Sequence, residues 1–189
     1  PLTRAVGYEA GTRARLLDRW DLALAAWRLD LDSETVWVGD EGTTESSGAT
    51  KRYGVELETR FEITKWLSAD LDLTATKSAF VQNAGNGTSV ALAPRTTWAG
   101  GLSARHPSGV RGGFRFYGIG DRPATEDGGI VADGFTLFDL HAGYQHRRFD
   151  VALDVENLLN AKYKSAQFAT TSRLRTDPAV GAAIPAGAC

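Results

Sequence analysis

The segment Phe149–Tyr163 reads FDVALDVENLLNAKY, and its first half alternates between apolar and polar residues. Phe149 and every second residue up to Val155 are apolar, whereas Asp150 and Asp154 lie between them. A period of two residues places these sets on opposite faces of a β-strand. The alternation stops at the NLLN stretch, residues 157–160, where the strand is predicted to end.

The same pattern recurs along the chain before this segment and predicts about seven further strands. In the second of them the apolar positions change phase near Ala25 and Ala26, which predicts a β-bulge; a helical start at residues 21–27 is the alternative. No helix is predicted between the strands, so the chain is expected to be all-β. The predicted strands cover residues 6–16, 20–38, 53–63, 67–76, 95–106, 110–119 and 135–146.

Short and long connections alternate between the predicted strands. In an up-and-down antiparallel sheet, all short turns then lie at one end and all long loops at the other. Long loops on a rigid framework often carry recognition, so ligand contacts are expected there, although no single ligand-binding residue is predicted. The short connections are residues 18–19, 64–65, 107–109 and 147–148, and the long ones are 39–50, 82–91 and 120–134.

Alternation alone does not decide which face meets water. A soluble sandwich or a lipocalin-like barrel buries its apolar face, whereas a membrane barrel turns it towards lipid. The predicted strands, about 10–13 residues long, exceed the usual five or six and suit a tilted bilayer crossing. The loop asymmetry also favours a transmembrane barrel, with the soluble β-sandwich kept as an alternative. Four aromatic residues near strand ends are candidates for an interfacial girdle, unless strands simply favour aromatics: Trp20, Trp66, Trp98 and Phe149.

Composition argues against several other classes. A net charge of -2 without a basic cluster gives no support for nucleic-acid binding. No run of about 18 apolar residues predicts a transmembrane helix. The single Cys189 excludes a disulfide within this sequence. Because the chain begins at Pro1 and ends in a Gly/Ala/Pro-rich stretch, we expect it to be a fragment of a longer protein.

No catalytic, cofactor or metal site is predicted, and the protein is not expected to be an enzyme. Carboxylates two residues apart, such as Asp70 and Asp72, would suit a glycosidase, but the same pattern on neighbouring strands favours a solvated face. The histidines are scattered in the sequence, without metal-ligand spacing: His106, His141 and His146.

The stretch VALDVENLLNAKY resembles the near-C-terminal signature of TonB-dependent outer-membrane receptors. In that family the penultimate barrel strand ends in an Asn-Leu pair, followed by a polar turn and a Tyr; here these are Asn157, Leu158 and Tyr163. Four other stretches are similar to strands of the same family: GYEAGTR at 7–13, RYGVELETRF at 52–61, APRTTWAGGL at 93–102 and FTLFDLHAGY at 135–144.

The resemblance implies active uptake of a scarce, siderophore-like solute across the outer membrane of a Gram-negative cell. It also implies contact with outer-membrane lipid, an energy-transducing partner in the inner membrane, and a barrel of about 22 strands around a plug domain. Residues 1–189 would then be a C-terminal part of that barrel, with about eight strands and without the plug or the final strand. An outer-membrane barrel without energy coupling, structural or porin-like, and a soluble β-sandwich binding module are the alternative functions.

Overall fold

The computed structural model describes residues 2–38, 43–81, 88–167 and 169, and the regular elements in these ranges are β-strands. Eight strands form one antiparallel sheet, in which each pairs with the next of the eight along the chain. This confirms the all-β, up-and-down architecture. The described ranges contain no helix long and apolar enough to cross a membrane. In chain order the strands are β1 (Ala5–Leu16), β2 (Trp20–Leu31), β3 (Glu34–Val38), β4 (Thr43–Ser47), β5 (Thr50–Glu62), β6 (Leu67–Phe80), β7 (Thr96–Arg105), β8 (Val110–Ile119), β9 (Arg122–Pro123), β10 (Val131–Ala132), β11 (Phe135–His146) and β12 (Phe149–Val155).

The large sheet has the order β1-β2-β5-β6-β7-β8-β11-β12, and its two ends differ in their connections. The four connections that follow β1, β5, β7 and β11 are short and lie at one end, here called the short-turn end. The other three lie at the opposite end, the long-loop end. One short turn depends on Gly109, whose φ of 94° is left-handed and where an added Cβ would lie 2.1 Å from the carbonyl oxygen of Gln145. The predicted asymmetry is therefore confirmed.

The sheet has one apolar face and one polar face, set by the strand register. Leu57 lies opposite Leu24 on one neighbour and Leu73 on the other, whereas Glu58 lies opposite Asp72. The apolar side chains are uncovered, with Leu24 50% exposed and Leu153 62% exposed. In the described part of the chain the buried hydrophobic residues are few and lie near the long-loop end: Phe80, Val90, Ala132 and Leu137.

Among the residues that the structure describes, no second sheet covers the apolar face of this wall. Contiguous apolar surface of this extent marks a surface that meets lipid or another apolar partner. The alternation of apolar and polar positions along most of the long strands is the pattern of a transmembrane barrel wall.

The second strand is more regular than predicted. Its register with β1 and β5 runs from Trp20 to Leu31 without an extra residue, so both the predicted bulge and the helical alternative are wrong. The apolar residues simply change face: Trp27 lies on the polar face, opposite Gly54, and its Nε1 donates a hydrogen bond to Glu56 Oε1 at 2.8 Å. The indole is tolerated there because it has both space and a polar partner.

The long connections contain more structure than their composition indicated. The second strand was predicted to continue to residue 38, but β2 ends at Leu31 and a separate hairpin of β3 and β4 follows. The loop at 120–134 contains the short pair β9 and β10. The loops also contact one another: Leu92 N donates to Pro123 O at 2.7 Å, and Val81 N to Ala49 O at 2.8 Å. Together they form a layer at the long-loop end.

Within the described residues β1 and β12 each pair on one side only, so the sheet is an open wall and not a closed barrel. The expectation that a final strand is missing concerns the tail beyond residue 169, which lies outside the described residues. The assignment of residues 1–189 to a C-terminal barrel portion without a plug likewise stays a prediction.

Candidate functional site

The polar face carries paired charges that join strands across the sheet. Arg15 contacts Asp21 at 3.4 Å and Glu62 at 3.6 Å near the short-turn end. Further along the sheet, Arg111 pairs with Asp150. Such pairs cost little in a water-filled space and align neighbouring strands. Arg111 and Arg115 thus both pair with acids on the same face.

Arg115 forms a pair that reaches across a whole strand on this face. Its Nη1 lies 2.7 and 2.6 Å from the two carboxylate oxygens of Asp70, although β7 separates their strands. The residue of β7 beside Arg115 is Gly101, where an added Cβ would lie 3.0 Å from Arg115 Cδ and 2.1 Å from the backbone oxygen of Phe114. Because Gly101 has no side chain, the Arg115 side chain can cross β7 and reach Asp70.

An open recess of about 560 Å³ lies beside these pairs on the polar face. It contains both signs of charge, so it suits a polar surface or a polar solute better than a simple anion or cation. Its charged lining residues are Arg13, Arg15, Asp21, Glu58, Arg60, Asp70 and Asp72.

At the long-loop end, Glu34 ties the first long connection to the wall. Its carboxylate accepts a hydrogen bond from Thr50 Oγ1 at 2.7 Å and pairs with the Arg52 guanidinium. Thr50 is fully buried. Sequence reasoning placed residue 34 inside a continuous strand and missed this anchor; the acid after the Asp32-Ser33 break was the available signal.

The third long connection is ordered by a small polar turn. Asp127 Oδ1 accepts hydrogen bonds from the Thr125 hydroxyl and from Gly129 N, the latter at 2.9 Å. These donors stabilise the carboxylate and lower the pKa of Asp127 below its ordinary value. Gly128 adopts a left-handed φ of 71°, as the turn requires. The loop end thus presents a defined backbone.

The segment after β12 folds back along the end of β11. Asn157 adopts a left-handed φ of 50°; its Oδ1 accepts from Ala161 N at 2.8 Å and its Nδ2 donates to Ala161 O at 3.0 Å. Leu158 N donates to Phe138 O at 2.6 Å, and the Tyr163 ring lies 4.9 Å from that of Phe135. These contacts give each proposed signature residue a structural role at the edge of the wall.

A family model described as "TonB dependent receptor-like, beta-barrel" matches residues 3–158. The chain belongs to this family of TonB-dependent receptor β-barrels. The family comprises receptors and transporters rather than enzymes. No curated protein sequence matches the chain.

Solved receptor structures share the fold of this barrel segment. The ferric yersiniabactin uptake receptor FyuA of Yersinia pestis matches with a TM-score of 0.75 and 19% identity, over 90% of this chain and 27% of that one. The ferric-catecholate import receptor Fiu of E. coli K12 matches with a TM-score of 0.68 and 23% identity, over 85% and 24%. The pyoverdine receptor FpvA of Pseudomonas aeruginosa PAO1 matches with a TM-score of 0.65 and 16% identity, over 85% and 26%.

This receptor segment therefore spans about a quarter of the length of the structures that it matches. The similarity to these receptor structures, at 16–23% sequence identity, shows that the chain shares their fold.

The four candidate girdle residues of the receptor wall lie at both ends of its strands. Trp20 begins β2, Phe149 begins β12 and Trp66 directly precedes β6, all at the short-turn end; Trp98 lies in β7 near the long-loop end. Trp20 and Trp66 make edge-on contacts with Phe61 and His106. Their position suits a lipid–water boundary, and the girdle itself stays a prediction.

The described part of the receptor wall contains no cluster of three or more His, Cys, Asp or Glu side chains placed to hold a metal. His141 does have a carboxylate partner, Asp154, on the adjacent strand. Their positions, 13 residues apart, become neighbours only through the hairpin register, which is why sequence spacing did not reveal them. The expected absence of catalytic, cofactor and metal sites stays a prediction.

Proposed function

We propose that this chain is part of the C-terminal barrel wall of an outer-membrane receptor that imports a scarce solute with energy from the inner membrane. The main observation behind this proposal is that the sheet has one apolar face and one polar face. Its apolar face, with Leu24 and Leu153 exposed, suits outer-membrane lipid, whereas its polar face carries cross-strand ion pairs suited to a water-filled lumen. Family membership supports the same reading.

In this proposal the polar face surrounds a plug domain that lies outside this chain. The recess near Arg15 and Asp70 offers charges of both signs for such a neighbour. Coupling to the inner-membrane partner would run through the plug and not through this wall. The location is the outer membrane of a Gram-negative cell, and the protein is not an enzyme.

The cargo is proposed to be a siderophore-like solute, because three matched structures are named for ferric yersiniabactin uptake, ferric-catecholate import and bound pyoverdine. The long-loop end is the proposed contact region, since its loops hydrogen-bond to each other over the buried Leu137 and Val90. No single residue is assigned to the cargo.

A barrel without energy coupling is the second candidate, because a wall with one apolar and one polar face would also suit a passive pore. The deciding experiment expresses the complete receptor in a Gram-negative strain that lacks its own siderophore receptors. Uptake of a panel of radiolabelled ferric siderophores is then followed with and without a protonophore. Accumulation of one cargo above the external concentration, abolished by the protonophore, is expected. Equilibration insensitive to the protonophore would identify a passive barrel, and no uptake of any cargo would contradict the proposal.

A further inference from the structure

A recess lies on the apolar face of the wall, between β2 and β7. Its volume is about 470 Å³, and the lining is almost entirely apolar. It arises because the row of Val55 has alanines on both sides, Ala26 on β2 and Ala75 on β6. Larger side chains surround the depression: Leu24, Leu57, Leu73 and Trp98. A depression of this shape suits a flexible hydrocarbon chain.

A cationic row lies directly beyond the recess, towards the long-loop end. Tyr53 is one strand-face position beyond Val55, about 7 Å away along the strand. It lies opposite Arg28 on β2 and Lys77 on β6, and Lys51 follows two residues further along β5. Three cations therefore surround one half-exposed tyrosine on the face that carries the recess.

Two of these cations are free to bind an anion. Asp30 lies opposite Lys51 on the neighbouring strand, but its carboxylate pairs with Arg28, at 3.0 Å. Lys51 and Lys77 are exposed, and neither has an ion-pair partner among the residues that the structure describes. Asp32, which follows the end of β2, donates its backbone N–H to the carbonyl oxygen of Arg4 at 3.0 Å. The edge of the recess thus has a local excess of positive charge.

Resting on the proposed function, in which this face meets the membrane, we propose that the recess and the two lysines bind a membrane lipid with a phosphate-bearing headgroup, from the leaflet at the long-loop end. An acyl chain fills the depression between Val55 and Trp98. The headgroup phosphate accepts hydrogen bonds from the Lys51 and Lys77 ammonium groups, a pairing that lysine makes well. The Tyr53 ring lies between chain and headgroup, where an aromatic residue with a polar tip is favoured.

Charge complementarity distinguishes this site from general lipid contact. Any apolar surface of the wall can touch acyl chains, but only this recess is bordered by two unpaired lysines in the described sheet. A neutral lipid would use the depression and gain nothing from the lysines. A free phosphate would use the lysines and gain nothing from the depression. Binding that needs both parts identifies the phosphorylated lipid.

The test uses the complete receptor, purified in a non-ionic detergent and titrated with bisphosphorylated lipid A under native mass spectrometry. Lys51→Gln with Lys77→Gln keeps the stems and removes both charges. Since a surface-near lysine contributes about 1 kcal/mol towards an anionic lipid, the double variant should bind about 30-fold more weakly. Lys65→Gln, in a short turn at the other end of the wall, is the matched control and should bind as the unmodified receptor does.

Two further variants separate the parts of the site. Ala75→Phe fills the depression and should weaken lipid binding while both lysines remain. Lys51→Arg with Lys77→Arg keeps the charge and should retain binding, which shows that a loss in the glutamine variant is not a folding defect. The proposal is overturned if the glutamine variant binds normally, if Lys65→Gln loses as much, if dephosphorylated lipid binds equally well, or if inorganic phosphate competes as strongly as the lipid.

Discussion

Arg115 donates from a single Nη1 atom to both carboxylate oxygens of Asp70, at 2.7 and 2.6 Å, across the width of an intervening strand. The pair links β6 to β8 independently of the backbone ladder through β7. It lies on the polar face, where the Arg115 side chain is 44% exposed and that of Asp70 is 27% exposed. Its contribution should therefore be close to that of a surface ion pair.

A double-mutant cycle measures this link. Arg115→Gln and Asp70→Asn, alone and together in the complete barrel, should give a coupling of about 0.5–1 kcal/mol in the free energy of unfolding by urea. The coupling should fall at high salt because the pair is partly exposed. Arg13→Gln with Asp70→Asn is the control cycle and should give a coupling near zero. A near-zero value for the first cycle would show that the pair does not hold the strands.

Gly101 should tolerate a side chain poorly, because an added Cβ would lie 2.1 Å from the Phe114 backbone oxygen. Gly101→Ala is expected to lower the free energy of unfolding by about 1–3 kcal/mol. Gly113, on the same face of the adjacent strand, is the matched control: there the nearest atom to an added Cβ is 3.7 Å away. Gly113→Ala should be neutral or stabilising by about 0.5 kcal/mol. Equal effects of the two substitutions would contradict the close approach of β7 and β8.

Asn157 should be needed both for its backbone conformation and for its side-chain bonds. Asn157→Gly keeps the left-handed φ of 50° but removes both hydrogen bonds to Ala161, so the turn should lose about 1 kcal/mol. Asn157→Ala also adds backbone strain and should lose about 2–3 kcal/mol. Proteolysis rates of residues 157–163 in the folded barrel measure both losses.

Asn160 provides the comparison, since it has the same φ of 50°. The hydrogen bonds of the described residues include none from its side chain, so Asn160→Gly should leave proteolysis unchanged. If Asn157→Gly is equally silent, the side chain of Asn157 contributes only a permitted conformation, and its bonds to Ala161 do not hold the turn.

The loop around Asp127 should open in acid. Its pKa is lowered in the folded loop by the Thr125 hydroxyl and Gly129 N. A lowered folded pKa means that the contribution to loop order is complete above the ordinary aspartate value of about 4 and is lost as pH falls through the folded pKa. Carboxyl carbon NMR should show the Asp127 midpoint below that of an exposed Asp. Thr125→Val should raise this midpoint. An unchanged midpoint would show that the Thr125 hydroxyl does not lower the pKa of Asp127.

Much of the wall was predictable because strand alternation is a local property. The alternating residues of β5 and β12 define the two faces of each strand. The alternation of short and long connections shows which connections share an end of the sheet. The phase change at Ala25 and Ala26 shows the limit of this reasoning. Alternation predicts a bulge there, whereas Trp27 occupies the polar face because Gly54 leaves room and Glu56 accepts its N–H. That room is supplied by a strand more than 20 positions away.

The interactions of the site were less predictable for the same reason. Arg115 and Asp70 are 45 positions apart, and their contact depends on two registers and on a glycine between them. Glu34 acts as an anchor only because the chain leaves the sheet after Leu31. The partners of these residues are set only by the assembled sheet.

The central claim is that the apolar face meets lipid and the polar face meets water. It is tested most directly by spin labels placed one at a time at residues 55, 56, 57 and 58 of β5 in the complete receptor in lipid bilayers. Collision rates with oxygen, which partitions into lipid, should be high at Val55 and Leu57. Rates with a water-soluble nickel chelate should be higher at Glu56 and Glu58, giving a period of two. Equal accessibility at all four positions, or the opposite alternation, would contradict the account.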